Sequence, residues 1–188
     1  MAILKLIRDE YVNQDAMYNL VHYVLNANKM PSRCFGGTGI SLTSPADSMY
    51  KIKNVYDKTT GKQAEQFVLA FNYKESRLLN SYFIEQIAYE VCKYFEGVQV
   101  LFALHETGNT YISDDYGDNN VHIHFVVNTV NMFTGNKFWL DYNNAFALKA
   151  YIQSVLYTYQ ISKTVRLVWG ENYSSIEKSE EYTGIVCR

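Results

Sequence analysis

The sequence predicts an α+β protein because apolar residues recur along it at two different periods. Residues 98–105 and 121–128 are apolar, β-branched runs of strand length. Elsewhere, as in residues 80–95, Ile84, Ile87, Ala88, Val91 and Phe95 recur at helical spacing. With 188 residues, 48% of them hydrophobic, the chain is long enough to bury the core of one domain.

Each element can be argued in order. Ile3, Lys5 and Ile7 alternate with Leu4, Leu6 and Arg8, which predicts a first strand over 2–8. A helix over about 15–25 follows, with Asp15 at its N-cap and Met17, Leu20, Val21, Val24 and Leu25 as its apolar stripe. On a wheel of about 100° per residue, Tyr23 falls about 130° from the stripe's centre and Tyr18 about 90°. Tyr23 is therefore expected to be the more exposed tyrosine and the better candidate for chemistry.

Pro31, Gly36, Gly37 and Gly39 then break the chain. The run Cys34-Phe35-Gly36-Gly37-Thr38-Gly39 matches neither a Walker A loop nor a dinucleotide fingerprint, so no nucleotide is assigned to it. Ser44 and Pro45 open a helix through Met49, Ile52 and Val55, and residues 59–62 close it as a turn. Residues 66–73 read as a strand and 80–95 as an amphipathic helix, with Gly97 ahead of the 98–105 strand.

Residues 107–120 form a polar loop. Asp114, Asp115 and Asp118 lie in it, at spacings that are not those of an EF-hand. Residues 133–136 read as a tight turn, 137–140 as a short returning strand, 143–159 as a helix and 165–169 as a last strand. A polar, loosely held tail is expected over 171–188. There is no internal repeat.

The two central strands carry the histidines. Alternation sends Val121, Ile123, Phe125 and Val127 to one face of their strand, and His122, His124, Val126 and Asn128 to the other. Residues two apart on a strand are separated by roughly 6.6 Å, from which two imidazoles can meet one ion with bonds of about 2.1 Å. A lone histidine would more often be an ordinary core or surface residue. Here His105 ends the neighbouring apolar run and can complete a set that uses three of the chain's four histidines. Neutral imidazoles leave a divalent ion its charge and open positions, as metal-assisted chemistry on phosphate oxygens needs.

Composition bounds the setting. Cys34, Cys92 and Cys187 are odd in number and form no Cys-x-x-Cys pair, which predicts reduced thiols and a cytoplasmic protein. No apolar stretch is long enough to cross a bilayer, and the start lacks the form of a signal peptide. A net charge of −2 argues against a protein that coats DNA generally. The first 62 residues hold 8 Lys/Arg against 5 Asp/Glu, an excess that permits a local phosphate-binding surface.

With these residues in place, the chain resembles the nuclease domain of plasmid relaxases, the mobilisation proteins of the HUH endonuclease class. His122-Ile123-His124 is similar to the paired-histidine signature, continued by Phe125-Val126-Val127-Asn128-Thr129-Val130-Asn131 and by Thr134-Gly135-Asn136-Lys137-Phe138. His105 takes the place of the upstream histidine, and residues 22–29, His-Tyr-Val-Leu-Asn-Ala-Asn-Lys, resemble the motif of the nucleophilic tyrosine.

The resemblance implies a central, mainly antiparallel sheet flanked by helices, spanning a nuclease domain over 1–170. It implies an Mg²⁺ or Mn²⁺ site on His105, His122 and His124, and Tyr23 as the nucleophile. The implied reaction nicks one DNA strand at a transfer origin through a 5′-phosphotyrosyl bond. The implied partners are that single-stranded DNA and accessory mobilisation proteins. Glu106, Asp114 and Asp115 remain rival accessory carboxylates, and Asn128 is a candidate either to orient a ligand or to cap its strand. Three other readings stand beside this one: an HUH replication initiator or transposase, a noncatalytic DNA-binding or regulatory domain, and a small-phosphoester hydrolase.

Overall fold

The computed structural model describes residues 1–8, 11–13, 15–106 and 121–170; Asp114, Asp115, Asp118 and the 171–188 tail lie outside them. Among the described residues, six strands form one sheet: β1 (Ala2–Ile7), β2 (Phe35–Thr38), β3 (Ala64–Ala70), β4 (Val98–His105), β5 (His122–Asn131) and β6 (Val165–Gly170). Their order is β2-β4-β5-β3-β1-β6. Neighbours run antiparallel except β1 and β6, which run parallel. The central strands β3, β4 and β5 are covered on both faces, which is why they read as nearly continuous apolar runs.

Helices provide both covers. On one face Ile123, Phe125 and Val127 join Phe67, Leu69 and Phe102 in a core closed by α4 (Ser81–Cys92) and α5 (Tyr142–Thr158). On the other, Leu101, Ala103 and Val126 pack against Met17, Leu20 and Val21 of α1 (Ala16–Val24) and Met49 of α2 (Pro45–Val55). The two-faced reading of the 121–128 segment therefore holds, and the histidine face lies under α1 and α2.

Some elements differ from the sequence reading for identifiable reasons. The glycine-rich break contains an edge strand, β2, paired with β4. A Cβ at Gly37 would fall on the Val100 carbonyl oxygen, and one at Gly36 would lie 2.6 Å from Phe102 Cζ. These glycines allow close approach of the edge strand to β4. The short helix α3 (Tyr73–Ser76) was not expected; its start is fixed by a reciprocal capping box between Asn72 and Glu75.

The returning strand expected at 137–140 is reduced to one bridge, Val130 to Lys137. Its chain is drawn off the ladder because the Leu140 amide donates to Glu65 Oε1 at 3.2 Å, and Asp141 then caps α5. Asp15 stands at the N-cap of α1 without making a side-chain cap bond, whereas Asn80 caps α4 as its type predicts.

Candidate metal centre

Strand register assembles the histidines. The β4–β5 ladder sets His105 opposite His122 and Ala103 opposite His124. The small Ala103 leaves space beside His124, and the His105 ring lies 4.2 Å from the His124 ring, centroid to centroid. His122 stands 5.3 Å from His105 and 5.1 Å from His124 by the same measure. All three are buried, and one ring nitrogen from each lies within 4.8 Å of the others. The set has the donor types, number and convergence that a divalent ion requires.

Two hydrogen bonds orient the rings, and one of them fixes a tautomer. His105 Nε2 lies 2.8 Å from the Val24 carbonyl oxygen; a carbonyl only accepts, so Nε2 carries the proton and Nδ1 keeps its lone pair. His124 Nδ1 lies 3.1 Å from the Gln66 side-chain amide, and the Tyr11 hydroxyl holds the other end of that amide. Amide orientation follows the network. Gln66 Oε1 accepts from the Tyr11 hydroxyl and its Nε2 faces His124 Nδ1, so the amide holds the plane of the His124 ring. Burial is the main cause that lowers the pKa of both His105 and His124, with the charge of Lys29 adding to it. Both rings are therefore neutral at pH 7, as metal ligation requires.

Tyr23, on the last turn of α1, lies over this cluster. Its ring is 5.7 Å from His124 and 6.1 Å from His105, in edge-to-face arrangements. The chain then makes a 3-10 turn at Ala27–Lys29, started by Asn26 accepting from the Asn28 amide. That turn returns Lys29 Nζ to 3.9 Å from the centre of the Tyr23 ring. The Glu106 amide donates to the Lys29 carbonyl at 3.1 Å, tying the turn to the end of β4.

The expected ranking of the two tyrosines by exposure is reversed: Tyr18 is 45% exposed and Tyr23 38%. Tyr18 leans outward because its hydroxyl donates to Asp47 at 2.7 Å and its ring stacks on Tyr50. Tyr23 is covered by Lys29 and the imidazoles, and so is the tyrosine brought to the histidines.

The accessory candidates are placed differently. Glu106 directly follows His105, and its carboxylate accepts from the Ser32 amide at 2.7 Å. Asn128 shares the histidine face but lies beneath α2, where it donates to Met49 O and Gln99 Oε1 at 3.1 and 2.8 Å. It is a tie between helix and sheet, not part of the histidine cluster. Lys29, Gln66 and Tyr11 were missed from the sequence. The available signal for Gln66 was a polar side chain inside an otherwise buried strand, which has to be there for a partner.

Three imidazoles converging beside a solvent-reachable tyrosine compose a centre of the kind that metal-assisted phosphoryl transfer uses. The nuclease-domain model of the MobA/VirD2-like relaxases matches residues 23–161, and the chain belongs to that family. The match begins at Tyr23 and includes all three histidines, so the chain is a relaxase-type DNA-nicking domain. Searches of curated proteins and of solved structures found no match. No described helix is long and apolar enough to cross a membrane.

Proposed function

We propose that this protein nicks one strand of DNA at a transfer origin and later rejoins it, using Tyr23 as nucleophile, during plasmid mobilisation or conjugation. The observation that carries the reading is the placement of the Tyr23 ring 5.7 Å from His124 and 6.1 Å from His105. Tyr23 Oη attacks phosphorus and the P–O3′ bond breaks. The phenolic proton is given up and the leaving 3′-oxygen gains one, which yields a 5′-phosphotyrosyl bond and a free 3′-hydroxyl. The phosphodiester energy stays in the new bond, so attack by the 3′-hydroxyl reseals the strand without ATP.

His105, His122 and His124 would hold Mg²⁺ or Mn²⁺, which when bound supplies positive charge to the nonbridging oxygens of the scissile phosphate. Val24 O and the Gln66 amide orient two of those imidazoles, and Lys29 adds a fixed cation beside the nucleophile. The expected setting is the cytoplasm, with accessory mobilisation proteins.

The net charge of −2 is the observation that favours a noncatalytic DNA-binding domain instead. Incubation with a labelled single-stranded origin library and Mn²⁺ or Mg²⁺, followed by denaturing gels, separates the readings. A metal-dependent covalent adduct that Tyr23→Phe cannot form is the expected result. DNA bound but never cut would favour the noncatalytic domain, and selection of a replication-origin or transposon-end hairpin would favour an initiator or transposase.

A further inference from the structure

We infer that a second cleft, at the end of the sheet where β1 and β6 finish together, seats one nucleotide of the DNA strand. Its base lies on the aromatic pair Tyr142 and Trp169, and its phosphate on Arg8. The inference rests on the DNA-nicking reading above and extends it to where the strand runs.

Parallel pairing builds the cleft. Leu6 lies opposite Trp169 and Ile7 opposite Gly170, so Arg8, next in the chain, emerges beside the indole. The Arg8 guanidinium carbon lies 4.5 Å over the Trp169 ring. The Trp169 ring is in turn parallel to that of Tyr142, within 2° and 6.1 Å between centroids. The cleft bounded by these residues has a volume of about 530 Å³. Tyr142 is half exposed while Trp169 is partly buried behind it, and a flat, accessible ring such as Tyr142 is what an unpaired base stacks on.

Charge decides the orientation. Lys62, Glu65 and Asp141 also line the cleft, but each is already engaged. Lys62 Nζ is 2.7 Å from Glu65 Oε2, Glu65 Oε1 accepts from Leu140, and Asp141 accepts from the Asn144 amide at 2.8 Å. Among the described residues Arg8 has no carboxylate partner. A guanidinium lying over an indole can still present N–H donors to phosphate oxygens.

The cleft also adjoins the metal centre. Gln66 lines it and hydrogen-bonds His124. Along β3, Gln66 is two residues from Val68, which lies opposite His124, a step of about 7 Å. Because Leu6 and Trp169 belong to the α4/α5 face and the histidines to the other, a strand whose scissile phosphate faces Tyr23 would round the end of β3 at Gln66 to enter the cleft. Arg8 and Trp169 lie outside the family match over 23–161, and Tyr142 lies inside it.

The chain has two tryptophans, 139 and 169, so full-length Trp139→Phe protein leaves Trp169 as the sole indole reporter. It would be titrated without divalent metal, so that nothing is cut, with single-stranded origin DNA, the same DNA carrying abasic sites, its duplex, and inorganic phosphate. The expected result is saturable quenching of Trp169 by the single strand, and little by the abasic strand or the duplex. Arg8→Met and Tyr142→Ala should each weaken single-strand binding about tenfold, the scale of one stacked base. Arg8→Met should also reduce the salt slope by about one. Quenching by phosphate alone, equal for abasic DNA, would overturn the base seat. Adduct formation at Tyr23 with Trp169 unperturbed and both variants binding normally would overturn the inference while leaving the proposed function standing. Absence of both adduct and binding would remove the proposed function first.

Discussion

His105 donates its Nε2 proton to the carbonyl oxygen of Val24 across 2.8 Å, joining residues 81 apart. Val24 directly follows Tyr23 and ends α1. Carbonyls in the last turn of a helix lack intrahelical donors, so one bond both satisfies a helix end and fixes a histidine tautomer. The candidate nucleophile and a candidate ligand are thereby held in register by the backbone. This explains why a helix on one side of the sheet and a strand within it present their functional groups together.

Gln66 should matter for metal affinity without touching the ion. Its amide sets the His124 ring, and partners of this kind typically contribute about 10- to 100-fold to affinity. Calorimetric titration of Gln66→Ala with Mn²⁺ should show weakening in that range. Unchanged affinity would mean that the His124 ring is held by something else.

Lys29→Met should slow adduct formation with little change in DNA affinity. The ammonium 3.9 Å from the centre of the Tyr23 ring makes a contact worth about 0.5–1 kcal/mol, roughly two- to fivefold in rate. Single-turnover kinetics on wild type, Lys29→Met and Lys29→Arg would test this, with Arg expected to restore most of the loss. Equal rates in all three would leave Lys29 without a role at the tyrosine.

Lys53 should give stability a particular pH dependence. Its side chain is fully buried, with Nζ 2.7 Å from Thr129 Oγ1. Burial, reinforced by Lys137, pushes its pKa down from 10.5 to about 7. Between those values the unfolded chain holds a proton that the folded chain lacks, so stability rises with pH across the window and falls as pH returns toward 7. The slope is at most about 1.4 kcal/mol per pH unit. Urea unfolding at pH 7, 8 and 9 should show this slope in wild type and its loss in Lys53→Met, with the variant the more stable at pH 7. Parallel profiles for the two proteins would contradict it.

Much of this was readable because the central strands are determined by local pattern. Unbroken apolar runs fixed β4 and β5, and period-two alternation fixed the shared face of His122 and His124. Placing His105 beside them needed only adjacency of the two strands, which the register provides. What the sequence hid depends on contacts across the fold. Tyr18 turns outward because Asp47, on another helix, receives its hydroxyl. Gln66 reaches His124 from a strand 58 residues away. The glycines of β2 are explained by the proximity of Val100 and Phe102, not by any local signal. Residues 137–140 have strand-like composition, but Glu65 captures the Leu140 amide.

The most direct test is to locate the covalent bond itself. The wild-type protein would be reacted with a single-stranded origin oligonucleotide and Mn²⁺, then digested with nuclease and protease, and the modified peptide sequenced by mass spectrometry. The account predicts a nucleotide joined through its 5′-phosphate to Tyr23, in the peptide that includes His22 and Val24. A nucleotide on Tyr18, His22 or any other residue, or cut DNA with no joined peptide, would contradict it.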